Sequence, residues 1–246
     1  MAAISDQLKE HRRLWNAKPI LQIVYGDWYD KLLQECPYGR ILEIGGGTGN
    51  LKSVRKEILS LDIQEAPWLD IVSDAHQLPI DDGSIDAIVM VDLLHHLERP
   101  RLFFDEALRI LREGGRLIMV EPAITLGSWF FWKFLHPEPV DFDVDPLAEQ
   151  SLSGSWKPWD ANQAIPTMLF RGNAQRFRSV FPELKIKAVS WFSFLAYPLS
   201  GGFRPWQAIP SAIAPALLRV ENGLSPYLGR WFGFRLMVVL EKNTAS

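Results

Sequence analysis

The stretch that most restricts what this chain can become is Ile41-Leu42-Glu43-Ile44-Gly45-Gly46-Gly47-Thr48-Gly49-Asn50. A short apolar run ends in an acid and a glycine loop, and residues 50–57 are compatible with a helix. The stretch therefore predicts a buried strand, a tight turn and a helix N-terminus. Gly45, Gly47 and Gly49 can adopt positive φ, and a turn without Cβ atoms lets backbone approach a ligand closely. The helix would aim unpaired N–H groups and the positive end of its dipole at the same place. A ligand there would meet main chain more than side chain.

The pattern repeats downstream. Residues 58–63, 70–73, 85–91 and 116–120 read as short apolar strands, the last leading into Glu121-Pro122. Residues 98–112 read as a helix with Leu102, Phe103, Ala107, Leu108 and Leu111 on one face and Gly114-Gly115 as its cap. Upstream, residues 5–17 and 20–35 predict two helices, the first ended by Pro19. Further on come a helix at 172–181, a strand at 185–194, a helix at 211–222 and a last strand at 234–242. Strands alternating with helices imply right-handed crossovers, hence an α/β fold with a doubly wound, mostly parallel sheet. Ligands of such sheets bind at the carboxyl ends of the strands. Those ends are Glu43/Gly45, Asp62, Asp74, Asp92 and Glu121, which form one rim. Residues 123–170 and 195–231, rich in aromatics, Pro and Gly, read as two cap insertions beside it. The expected organisation is one domain over 1–246, with N-terminal helices at 1–37 and a core at 38–122.

Net charge is −3, so no general basic field favours nucleic acid. Cys36 is the only cysteine, which leaves no internal disulfide and no cysteine metal cluster. Residues 1–13 lack the apolar core of a signal peptide, and no apolar run reaches the ~18 residues of a spanning helix. These features predict a soluble, cytoplasmic protein.

A glycine loop after the first strand serves two nucleotide cofactors. The dinucleotide fingerprint, Gly-x-Gly-x-x-Gly, fails because the sixth place counted from Gly45 is Asn50. What remains is Glu-x-Gly-x-Gly-x-Gly, followed at fixed distances by Asp62, by Ser73-Asp74-Ala75 with Leu78-Pro79, by Asp82-Gly83-Ser84-Ile85-Asp86, by Val91-Asp92-Leu93-Leu94-His95-His96-Leu97, and by Arg109 to Leu117. This series resembles the class I S-adenosylmethionine-dependent methyltransferases, close to their type 11 group, over residues 38–122. The resemblance implies a seven-stranded sheet with its last strand antiparallel. It implies that Gly45, Gly46, Gly47 and Gly49 lie against the methionine part of S-adenosylmethionine. Asp62, with Ile63 beside it, stands where the family places an acid on the ribose hydroxyls. Asp74 would accept from the adenine amino group while the Ala75 backbone meets the ring, and Asp92 would sit in the loop after the fourth strand. From chemistry alone, Glu43 either helps hold the cofactor's cationic amino group or braces the loop. A carboxylate at Asp62 can accept two hydroxyl hydrogen bonds, although a strand-end acid in a surface turn is the alternative.

A sulfonium methyl is already activated, so positioning and exclusion of water are the main demands. An oxygen acceptor also needs its proton removed. His95, His96 and His136 are the candidate bases, because histidine titrates near neutral pH; each could equally be packing or hydrogen-bonding in its loop. Asp92 and Glu121 also stand near the rim. Asp141, Asp143 and Asp145 alternate like a calcium loop but lack its glycine and terminal glutamate, so no metal site is expected. Trp129, Trp132, His136 and Tyr197 are the candidate acceptor contacts, with Trp156 and Trp159 able to stack on sugar rings. The competing reading of these aromatics is a local core. Trp, Phe and Lys133 on one short segment also suit an interfacial helix, and hence peripheral contact at the inner membrane face. The resulting expectation is methylation of a small or amphipathic acceptor, lipid-linked or saccharide in character, with oxygen favoured as the acceptor atom and with no nucleic-acid partner. The alternatives are carbon or nitrogen methylation of a quinone-like ring, or a non-catalytic cofactor-binding subunit of a partner.

Overall fold

The computed structural model describes residues 4–149, 157 and 159–243. Two helices open it. Ser5 caps α1 (Asp6–Ala17) by accepting the Leu8 N–H at 3.3 Å. Pro19 then supplies the first residue of α2 (Pro19–Gln34), where an absent N–H costs nothing. The core follows as β1 (Ile41–Ile44), α3 (Asn50–Val54), β2 (Leu59–Asp62), β3 (Ile71–Val72), β4 (Ile85–Val91), α4 (Pro100–Ile110) and β5 (Leu111–Pro122). After it come α5 (Leu126–Phe134), α6 (Ile165–Thr167), a π turn at Met168–Gly172, α7 (Ala174–Val180), β6 (Leu184–Phe192), α8 (Ala196–Ser200), α9 (Ala214–Phe232) and β7 (Arg235–Lys242).

The seven strands form one sheet in the order β3-β2-β1-β4-β5-β7-β6. β7 runs antiparallel to both neighbours and every other pair is parallel, as the family resemblance implied. The chain leaves β1 toward β2 and later returns to β4 on the opposite side, so the switch point lies between β1 and β4. Helices cover both faces. Phe103 and Phe104 of α4 meet Phe177 and Phe181 beneath one face. Leu21, Val24 and Trp28 of α2 and Leu218 of α9 pack with Val89, Ile118 and Val239 on the other.

Four departures from the sequence reading have physical causes. α3 stops at Val54 instead of reaching residue 57, because Ile58 must turn into the core ahead of β2. α4 ends at Ile110, before Gly114-Gly115, since Leu111 already pairs with Ile85 of β4. α9 continues through Pro226 to Phe232, and its packing on β6 outweighs the roughly 3 kcal/mol cost of an interior proline. In consequence the second cap is divided: residues 196–206 reach the rim, while α9 lies along the sheet.

Candidate functional site

A cavity of about 390 Å³ opens at the switch point, a volume ordinary for a small-molecule site. Its floor is the β1–α3 turn. Gly45, Gly47 and Gly49 all have positive φ there. At Gly46 a Cβ would stand 2.0 Å from the Ser60 Oγ, so no side chain fits between the turn and β2. Glu43, Gly45, Gly46, Gly47, Asp62, Ile63 and Asp92 all line the cavity. Gly49, Asp74 and Ala75 do not. Gly49 is closed off by the Trp68 indole, and the Asp74 carboxylate turns to its own loop, where it meets His76 Nδ1 at 2.6 Å and accepts the His76 backbone N–H at 2.9 Å.

The acids of the floor carry structural duties as well. Glu43 accepts from Ser60 Oγ at 2.6 Å, and burial pushes its carboxyl up to about 7 against that hydrogen bond. Asp62 accepts the N–H of Gly47 at 2.8 Å and of Gln64 at 2.9 Å; burial raises its pKa against those donors. A carboxylate has about four acceptor positions, so Asp62 can hold the turn and still receive a hydroxyl. Asp92 adopts φ 56° at the end of β4. Its carboxylate pairs with Arg235 and accepts from Tyr25 Oη at 3.3 Å, which ties it to protein rather than presenting it to a ligand. Arg235 is itself buried, its guanidinium lying 4.3 Å from the Tyr197 ring centre and 4.7 Å from that of Trp28.

The roof comes from parts the sequence reading left without a role. Gln7, Leu8 and His11 of α1 line the cavity beside the glycine turn. Arg12 fixes that helix by donating to the Thr48 carbonyl at 2.6 Å and stacking 3.8 Å over Trp68. Lys18, buried, aims its ammonium at the carbonyls of Ser200, Gly202, Arg204 and Trp206, all within 2.7–2.9 Å. It thereby shapes the segment that carries Phe203 and Arg204 to the cavity. Neither residue belongs to a motif, and their partners lie 36 and 182 or more residues away in the sequence, so no local signal marks them.

Beyond the floor, Trp132, His136 and Tyr197 line the cavity, as does Trp159. Trp129 does not, because it lies on the outward side of α5; Trp156 falls outside the described residues. Glu121 is fully buried and accepts the N–H groups of Leu93 and Leu94 at 2.8 and 2.7 Å. Its other oxygen receives the His95 Nδ1–H at 2.7 Å, and His95 Nε2 stands 3.6 Å from Glu138. Burial alone would lower the His95 pKa, but the two carboxylates outweigh it and push it up to about 10. Both ring nitrogens of His95 thus face carboxylates, Nδ1 that of Glu121 and Nε2 that of Glu138. His96 is pushed down to about 4 by burial and by the His95 cation, and His136 to about 4 chiefly by burial. Both face the cavity uncharged. Glu138 and Gln163, hydrogen-bonded to each other on the same wall, were not singled out from the sequence as site residues. The acidic alternation is local: Asp141 accepts from the Asp143 N–H, and Asp145 pairs with Arg176.

A sheet of this order, with its ligand cavity on the β1 turn and acids at the next strand ends, is the class I methyltransferase fold. The comparisons agree. Residues 42–119 match the family model described as a methyltransferase domain. Demethylmenaquinone methyltransferase of Clavibacter sepedonicus is 27% identical over 154 residues, covering 53% of this chain and 63% of that protein. A probable S-adenosylmethionine-dependent methyltransferase of Mycolicibacterium smegmatis is 30% identical over 108 residues, 38% of this chain and 42% of that one. A S-adenosylmethionine-dependent methyltransferase from Archaeoglobus fulgidus superposes with a TM-score of 0.51 at 14% identity, over 89% of this chain and 92% of that one. The [4+2]-cyclase SpnF superposes at 0.52 with 17% identity, over 89% and 82%. Residues 42–119 thus match a methyltransferase domain, and the fold is that of the class I S-adenosylmethionine-dependent methyltransferases. The chain spans between 24% and 64% of the length of the first curated relatives it matches. The bare backbone of the glycine turn, with the Glu43 and Asp62 carboxylates on the same cavity, fits S-adenosylmethionine.

Proposed function

We propose that this chain transfers a methyl group from S-adenosylmethionine to an amphipathic acceptor that reaches the cavity from a membrane surface, with oxygen as the acceptor atom. One observation carries the reading: α5 has two aromatic faces with different fates. Trp132 and Phe131 line the cavity. On the other side Phe130 and Phe134 are 58% and 60% exposed, beside Leu126 and Trp129. α5 packs on α9, where Gly127 abuts Phe232, and α9 adds Trp231 and a Tyr227 that is 77% exposed. Lys133, Arg219 and Arg230 are exposed on the same two helices. Exposed aromatics with cations beside them suit the headgroup boundary of a bilayer, and a patch of this kind marks an interaction surface. No helix among the described residues is long and apolar enough to cross a membrane.

Bound in the cavity, the cofactor supplies a methyl already activated on a sulfonium. The protein's part is to hold and enclose: the glycine turn and Asp62 beneath, α1 above, and the cap against water. Positioning of this sort is worth up to ~7–11 kcal/mol of barrier. For a hydroxyl acceptor, His136 takes the proton, with the Glu138 carboxylate at 3.9 Å to steady the cation formed. A ring carbon or nitrogen of a quinone-like compound is the second reading, supported by the name of the Clavibacter relative and by the aromatic cavity wall.

The experiment is methyl transfer from labelled cofactor into a lysate separated into lipid, polysaccharide and protein, together with vesicle flotation. Label in the lipid fraction and flotation lost in Phe130→Asp/Phe134→Asp are expected. Label confined to protein or polysaccharide overturns the amphipathic acceptor. Cofactor binding with no transfer to any fraction leaves the non-catalytic subunit.

A further inference from the structure

The cavity wall that carries His95, His96 and Glu138 has a use beyond holding an acceptor. We propose that His95, His96 and Glu138 bind a first-row divalent metal ion of the zinc class, with its open position toward the cavity. Among the described residues these three are the group whose ligand atoms converge, all lying within 4.8 Å of one another. His95 Nε2 and Glu138 Oε2 are already 3.6 Å apart. Donor atoms on one tetrahedral zinc ion stand roughly 3.4 Å apart, as bonds of about 2.1 Å require. No pair therefore has to close by more than about 1.4 Å.

Convergence alone would be weak ground, but each imidazole is also oriented from behind. Nδ1 of His95 faces the buried Glu121 carboxylate at 2.7 Å. Nδ1 of His96 faces the Asp160 carbonyl at 3.0 Å, and a carbonyl only accepts, so that nitrogen carries the hydrogen and Nε2 the lone pair. A carboxylate or carbonyl on the remote nitrogen is how metal-bound histidines are held. Glu138 is fixed in turn by the Gln163 amide, and Asn162 ties the pieces together by donating its N–H to the His95 carbonyl at 2.8 Å. Three elements distant in sequence are thus anchored so that two imidazoles and one carboxylate face one point on the cavity wall. Two imidazoles and a carboxylate with open positions are a donor set for zinc or iron rather than for calcium or magnesium. An ion held there would take an acceptor oxygen in its open position, a role that rests on the methyltransferase reading; ion binding itself does not.

The test uses the full chain stripped with a chelator and titrated with Co²⁺, whose visible d–d bands report tetrahedral or five-coordinate nitrogen and oxygen ligands, followed by displacement with Zn²⁺. One equivalent should bind. His96→Ala and Glu138→Gln, both at partly exposed positions, should keep the circular dichroism of the parent and lose the bands. Glu121→Gln, a positioning change, should weaken binding by roughly 10–100-fold while retaining the band shape. Absence of bands in the parent chain overturns the proposal, and so do bands that persist in both His96→Ala and Glu138→Gln. S-adenosylmethionine binding, measured separately by calorimetry, tests the methyltransferase reading independently, so either idea can fail alone.

Discussion

Asp62 shows how one carboxylate serves both the fold and the ligand. Its two oxygens stabilise the turn through Gly47 and Gln64, yet the group lines the cavity. Asp62→Ala should weaken S-adenosylmethionine binding by about 1–3 kcal/mol, since charge-assisted hydrogen bonds are lost together with the tether on Gly47. Calorimetry checks this, and unchanged affinity removes Asp62 from the site. Glu43 makes a prediction about pH. Its folded pKa of about 7 lies above the ordinary value of 4.5, so the native state holds this proton more tightly than the unfolded chain does. The stability it contributes is fully present below about pH 4.5 and is lost as pH rises through about 7, up to roughly 3 kcal/mol in all. Denaturant midpoints measured from pH 4.5 to 8 should fall in the parent relative to Glu43→Gln. Parallel curves would show that Glu43 does not titrate in this window. The residue scale was partly legible in the sequence. Glu43, Asp62 and the glycines announced themselves by position after a strand. The charge state of His95 did not, because it depends on Glu121 and Glu138, which lie 26 and 43 residues away and converge only through the fold.

At the scale of elements the strands and core helices could be read from apolar runs and their period, and β4 was placed to the residue at 85–91. The cap could not be read this way. Residues 136–149 and 159–164 follow no period, and their path is set by single long-range hydrogen bonds, such as Asn162 to the carbonyl of Asp141 and to its N–H. Lys18 governs the other half of the cap. An ammonium has three N–H donors, and four carbonyls surround this one, so the charge also serves as an electrostatic centre for a segment without regular pairing. Lys18→Met keeps the stem and removes those partners, which leaves buried carbonyls unsatisfied. A loss of about 2–4 kcal/mol in stability is expected, with amide exchange accelerated at residues 200–206 and little changed in β1 and β4. Uniform acceleration across the sheet would mean that Lys18 supports the whole domain rather than this segment.

For the molecule as a whole the decisive relation is that α1 meets the cap over one cavity whose floor is the glycine turn, with His11 stacked on Phe203 at 4.8 Å between ring centres. A ligand gripped on so many sides binds the folded state and has no counterpart in the unfolded chain, so its affinity must appear as stability. S-adenosylhomocysteine or S-adenosylmethionine at about a hundred times its dissociation constant should stabilise the chain by about 2.7 kcal/mol. In a protein of this size each kcal/mol moves Tm by roughly 2–4 °C, so a rise of roughly 5–10 °C is expected. NAD should give none, because Asn50 stands where the dinucleotide turn requires its third glycine and α3, only five residues long, presents a short stub of helix to a pyrophosphate. The comparison also separates cap from floor. Lys18→Met should lower Tm yet keep most of the cofactor-induced rise, whereas Asp62→Ala should keep most of Tm and lose most of the rise. A rise with NAD equal to that with S-adenosylmethionine would overturn the assignment of the cavity, and reversal of the two variants' behaviour would place the cofactor under the cap instead of on the glycine turn.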